Sequence, residues 1–380
     1  MRLIAFAYLV HFLRHGMVFP LIPLFAQRMG YSGAVIGAAV SAFSLLSLLA
    51  AVPVGGLSDR IGTRSMLLLS ALFNCLYSLM LLLADTIWLL IPAQMLGGLG
   101  FLLLIVSSQT WVSEHPETVI RERGFGFLSL ASAAGQTIGP FLGGFVLSRT
   151  SFSAVFGLAV FLSLLGFSIA GLRTKRQESL QGRESSRVSF QEAVAWVVSD
   201  RKMCAVLIFT FVSVFAVSLR SSFVPVLFQS RGFDESSIGL LLSVFAFSMT
   251  VIRVFIGRIM GRFARASLLV LALGCICVGT AALPATTVVW VTAGIMLLFG
   301  MGFGISQPLS MVMVSDRAGS SSSGLAMGIR FSMITLATLL SPVLSGLVVD
   351  AYGLNAAFYS VAGLLIIAGF LIWFFARRRA

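Results

Sequence analysis

Three polar side chains interrupt the first apolar run of the chain, VHFLRHGMVFP, Val10–Pro20: His11, Arg14 and His15. A guanidinium is a planar fork of donors that fits a carboxylate or phosphate. An imidazole takes up and releases a proton near neutral pH. A charge in hydrocarbon costs from a few to more than ten kcal/mol, so such a group pairs internally or serves function. Arg220 poses the same question in a second apolar run, LIFTFVSVFAVSLRSSFVPVLF. No nucleophile or metal-ligand constellation accompanies these residues. Cys75, Cys204, Cys275 and Cys277 all lie in apolar segments without metal-site spacing. The available chemistry is therefore anion binding and proton uptake. A membrane-embedded enzyme using His11 or His15 as a base is the weaker alternative.

The elements that carry these residues follow from composition. Of 380 residues, 58% are hydrophobic and 10% charged, and the mean hydropathy is +1.02. Soluble domains carry about 25% charged residues. Long apolar runs, rather than weakly alternating strands of about ten residues, indicate membrane-spanning helices. The net charge of +13 does not indicate nucleic-acid binding, because Lys and Arg sit mostly in short loops, where they set topology.

Twelve spans are expected, at 3–27, 33–57, 64–84, 87–112, 122–148, 152–173, 202–229, 235–259, 266–284, 287–314, 322–349 and 354–376. The polar stretch 174–201 is a linker between two six-helix bundles, 1–173 and 202–380, with a short amphipathic helix expected near Val188–Val198. Lys and Arg crowd the side holding both termini and the linker. Only Arg28, Arg149 and Arg231 fall on the other side, so both termini are expected in the cytoplasm.

Shifting the sequence by 202 residues lays one bundle on the other. Pro23 meets Pro225, Phe43 meets Phe245, and Gly98, Gly100 and Phe101 meet Gly300, Gly302 and Phe303. Gly126, Pro140 and Gly144 then meet Gly328, Pro342 and Gly346. Two parallel repeats of this kind place a binding site between them near the bilayer midplane. Every acidic residue falls in a loop or at a span end, whereas Arg14 and Arg220 lie about halfway along their spans. Under the shift they differ in register by four residues, about one helical turn, and so share a helix face.

Two motifs carry a family resemblance. The loop GGLSDRIGTR, Gly55–Arg64, resembles the G-x-L-x-D-R-x-G-x-R/K loop between helices two and three of the major facilitator superfamily. GFLSLASAAGQTIGPFLGG, Gly126–Gly144, matches the helix-five pattern of that superfamily's drug–proton antiporters at Gly126, Gly135, Gly139, Pro140, Gly143 and Gly144. The resemblance implies an all-α membrane protein of twelve helices in the plasma membrane, a bacterial inner membrane being expected. It implies a monomer without cofactor that exports a small organic solute by alternating access, with the proton as coupling ion.

Carried over residue by residue, Gly55, Asp59, Arg60, Gly62 and Arg64 form a conformational latch. Helices one, four, seven and ten of the family line the cavity. The expected substrate-binding residues are Arg14, Arg220 and Gln307 on those helices and Gln136 on the fifth, with His11 and His15 as proton-coupling candidates. The two arginines resemble the anion clamp of the superfamily's organophosphate exchangers, which points to an anionic or amphiphilic solute. An importer or organic-anion exchanger of the same fold is the alternative. Two positions depart from the pattern: Gln94 stands where antiporters carry a helix-four Arg, and Gly261 replaces the latch acid in the second half. Ion pairs are expected between Glu114 and Arg121 or Arg123, and between Asp316 and Arg317.

Overall fold

The computed structural model describes residues 2–113, 117–173 and 200–377, with side chains described except at 2–3, 52–53, 55–60, 118, 169–173, 318–325, 373 and 375–377. The described residues form helices and turns without strands, as a bilayer demands of a chain that must satisfy its own backbone. The helices are α1 (Arg2–Val18), α2 (Ile22–Arg28), α3 (Gly33–Leu82), α4 (Ile87–Ser113), α5 (Thr118–Arg149), α6 (Phe152–Arg173), α7 (Arg201–Ser230), α8 (Glu235–Arg262), α9 (Arg265–Ala282), α10 (Val289–Tyr352) and α11 (Leu354–Arg377). Eleven stretches are long and apolar enough to cross a membrane, and Phe152–Ser168 is a shorter apolar helix. The linker, its expected amphipathic helix and Glu114 lie outside the described residues.

The element count differs from the span count for local reasons. The first span is divided by a single 3-10 turn, Phe19–Leu21, between α1 and α2, because Pro20 and Pro23 lack the amide a helix interior needs. Spans two and three are both contained in α3. The chain breaks there at Gly62, with φ 77° and ψ 156°, a conformation essentially reserved for glycine. Gly62→Ala should therefore cost about 1–3 kcal/mol, read as a lowered thermal midpoint of the purified protein. The polar stretch expected to separate spans ten and eleven stays helical inside α10. It contains no proline to remove an amide from the ladder.

The described residues divide into two compact units: the chain up to 173 with Gly232–Ser243, and 200–231 with 244–377. The internal repeat is visible as a shared contact within each unit. A side-chain carbon added at Gly98 would strike the Phe43 carbonyl, and one added at Gly300 would strike the Phe245 carbonyl. Those are repeat-equivalent pairs.

Candidate functional site

Arg14 is 1% exposed and bonds inside its own unit. Its Nη2 donates to Asn74 Oδ1 at 2.7 Å and its Nη1 to Ser78 Oγ at 3.3 Å. The guanidinium carbon lies 5.1 Å from the centre of the Tyr77 ring. Asn74 is held in turn, its Nδ2 donating to the Ser70 carbonyl at 2.8 Å. The Ser78 and Ser163 hydroxyls share a 3.0 Å bond, tying α3 to α6. None of these partners is a carboxylate, so the cation is solvated by neutral oxygens and an aromatic face. Arg14 Nε and the Tyr77 hydroxyl are buried without hydrogen-bond partners. The sequence reading missed this cradle. Its signal was available: Ser70, Asn74 and Ser78 recur every fourth residue, one stripe of an otherwise apolar span.

The two histidines pack against aromatic rings. His15 stacks on Phe19 with centroids 5.0 Å apart, and lies 4.6 Å from Phe101 and 5.2 Å from Phe43. His11 lies 5.5 Å from Phe101. His11 Nε2 and His15 Nδ1 are buried without partners. Each nitrogen has an unused hydrogen-bonding position, as donor or acceptor according to the tautomer.

Arg220 meets the equivalent aromatic pair in the second unit. Its guanidinium carbon lies 4.0 Å from the centre of the Phe245 ring, and Phe245 stacks with Phe303 at 6.3 Å. These are the counterparts of Phe43 and Phe101. The repeat thus offers the same pair of rings twice, to an imidazole in one unit and a guanidinium in the other. Arg220 Nη2 donates to Ser221 Oγ at 3.1 Å, and Nε is buried without a partner.

The glutamines divide differently. Gln307 Oε1 and its carbonyl accept from Arg330 Nη2 at 2.9 and 3.1 Å, while Gln307 Nε2 is buried and unpaired. Arg330 Nε also donates to Ser310 Oγ at 3.1 Å. Gln136 is half-buried on α5. Gln94, at the position of the missing helix-four Arg, is fully buried with both amide atoms unpaired.

The helix-five motif is a backbone seam. Carbons added at Gly135 or Gly139 would come within 2.6 and 2.7 Å of the Leu13 amide nitrogen and carbonyl oxygen, and one at Gly143 would meet the Met17 carbonyl. Gly144 abuts Glu235 and Gly239. Gly126 faces open space. In the loop motif Gly62 makes the break, and the side chains of Asp59 and Arg60 lie outside the described residues; Arg64 is exposed. Asp316 pairs with Arg265 rather than Arg317, and Arg317 with Asp200 at 3.2 Å. Adjacent residues on a helix do not face each other, which is why the expected Asp316–Arg317 pair does not form.

Comparison with known proteins follows this geometry. The family model for the Major Facilitator Superfamily matches residues 4–324 and 206–380. Multidrug resistance protein 2 of Bacillus subtilis is 25% identical, covering 96% of this chain and 92% of that protein. The class E tetracycline resistance protein of Escherichia coli is 26% identical over 86% of this chain and 82% of its own. Among solved structures, the nucleoside transporter NupG superposes with a TM-score of 0.86 at 14% identity, covering 99% of both chains. An inward-facing bacterial homologue of the lysosomal transporter Spinster gives 0.79 at 13% identity, covering 99% of this chain and 96% of that one. Both superpositions show that this chain shares their fold. With membrane-length helices, a duplicated glycine contact and a family match across the chain, this integral membrane protein belongs to the Major Facilitator Superfamily.

Proposed function

We propose that the chain exports a small anionic or amphiphilic organic solute by alternating access, driven by proton antiport. The observation that carries the export reading is the α1–α5 glycine seam, built from the motif that resembles those of antiporters. Relatives named for multidrug and tetracycline resistance support the same direction. In this reading the protein acts as a monomer in the plasma membrane, both termini cytoplasmic, with Asp59 and its loop as latch.

Substrate sign rests on the cations. Arg220 stacks on Phe245 with an unpaired Nε, and no acidic residue occupies mid-span. Arg220 is the substrate-contacting cation. Arg14, already solvated by Asn74 and Ser78, holds α1 in place. Gln307 and Gln136 supply neutral hydrogen bonds. His15 Nδ1 is the first candidate to receive the coupling proton, and His11 Nε2 the second.

The test is transport in proteoliposomes, with organic anions and cationic drugs as solutes. An imposed proton gradient should drive uphill movement of the anion. Arg220→Ala should raise KM about tenfold or more, the worth of a hydrogen bond to a charged group. Arg220→Lys should not restore it, since an ammonium lacks the planar fork and stacking face. Exchange of labelled for unlabelled anion with no response to the gradient would replace antiport by anion exchange. Uphill transport of cationic drugs untouched by Arg220→Ala would overturn the substrate assignment.

A further inference from the structure

The second unit contains a cavity of about 690 Å³ that the transport reading does not use. Its walls come from α7, α9 and α11 and include Val206, Leu269, Leu273, Gly274, Leu365 and Phe370. All are apolar. Polar chemistry gathers at one end only, where Lys202 and Arg265 lie in the first turns of their helices and Asp316 and Arg317 lie along α10. Asp316 is paired with Arg265, and Arg317 with Asp200. Lys202 is exposed and enters neither pair. Arg201, exposed at the start of α7, adds charge beside Lys202.

An apolar slot with cations at one end is complementary to a molecule with a long hydrocarbon tail and an anionic head. The volume lies within the range of about 300–1,000 Å³ of ligand sites. We propose that this cavity binds one acyl chain of an anionic phospholipid, its phosphate held by Lys202, Arg265 and Arg317. Basic pockets between membrane helices bind anionic headgroups in this way. The site has a mechanical consequence. The phosphate competes with Asp316 for Arg265, so an occupied site loosens the clasp between α9 and α10. Lipid composition then tunes the helix that carries Gln307.

Gly274 provides a clean probe. A side-chain carbon added there meets nothing within 4 Å, and Gly274 lines the cavity, so Gly274→Phe is chosen to place a ring in it. Gly157→Phe, into equally open space on α6 of the other unit, controls for the added ring. The full-length protein would be reconstituted in nanodiscs holding phosphatidylglycerol or phosphatidylcholine with the same acyl chains. Retained lipid is counted by native mass spectrometry and thermal midpoints are recorded.

One phosphatidylglycerol should be retained in preference to phosphatidylcholine. Gly274→Phe should abolish that preference, and Gly157→Phe should leave it intact. Each of Lys202→Gln, Arg265→Gln and Arg317→Gln should weaken retention about fivefold, equivalent to about 1 kcal/mol per cation. Glycerol 3-phosphate, the head without tails, should neither bind nor shift the midpoint. Equal retention of the two lipids, or a preference that survives both Gly274→Phe and the glutamine variants, would overturn the proposal.

Discussion

Gly139→Ala will lower the thermal midpoint sharply and stop transport, while Gly126→Ala, a change in the same motif, will do neither. The two glycines look interchangeable in a pattern of fixed positions. Their surroundings are not. A carbon at Gly139 would sit 2.7 Å from the Leu13 carbonyl oxygen and 2.8 Å from Gly16 Cα, and backbone cannot rotate out of the way. Helices α1 and α5 must separate, and overpacking of this sort costs about 1–3 kcal/mol. The gain in helix propensity, about 0.5–1 kcal/mol for Gly to Ala, only partly offsets it. At Gly126 nothing lies within 4 Å, so the propensity gain stands alone and the midpoint holds or rises. Transport fails in the first case because α1 carries Arg14 and His15 on the faces turned from the seam. Equal midpoints for the two variants would show that the seam tolerates side chains and is not what holds α1 to α5.

The motif's spacing is readable in the sequence alone, because close packing of small residues leaves a direct trace in residue type. The same holds for the repeat. Gly98 and Gly300 each meet the carbonyl of a repeat-equivalent phenylalanine, so register in the sequence became register in contact. Side-chain direction was a different matter. Helical periodicity puts Arg14 on a face but does not say what that face meets. The expected partner is a ligand; the partners found are Asn74 and Ser78, 60 and 64 residues away in the chain and legible only as a polar stripe. Gln307 is an expected substrate-binding residue, yet its side-chain oxygen accepts from Arg330. A buried donor draws whatever acceptor lies nearest, and that choice is made by tertiary packing. The helix between spans ten and eleven escaped for the opposite reason: polar composition reads as a loop, but without proline nothing compels the helix to end.

The Arg14 cradle yields an ordering of variants that separates structure from substrate contact. Asn74→Leu should be the most damaging single change. It removes the 2.7 Å acceptor and leaves a guanidinium 1% exposed with fewer partners, a cost of about 3 kcal/mol or more. Arg14→Met should be milder, about 1–2 kcal/mol, since the charge is gone and what remains is an unpaired neutral amide. The double variant Arg14→Met with Asn74→Leu replaces both ends by apolar groups of similar size. Such paired replacements are close to neutral, so the double variant should be more stable than either single one. Thermal midpoints in lipid nanodiscs give the order directly. Transport decides what the order means. If Arg14 serves to hold α1 against α3, the double variant regains transport along with stability, and its KM stays near the wild-type value. If instead the guanidinium grips the solute, the double variant folds but stays inactive, because no apolar pair can replace a charge on the substrate. The hydrogen bonds already made by Arg14 favour recovery, the result expected if the solute is met by the other mid-span cation, Arg220, as proposed.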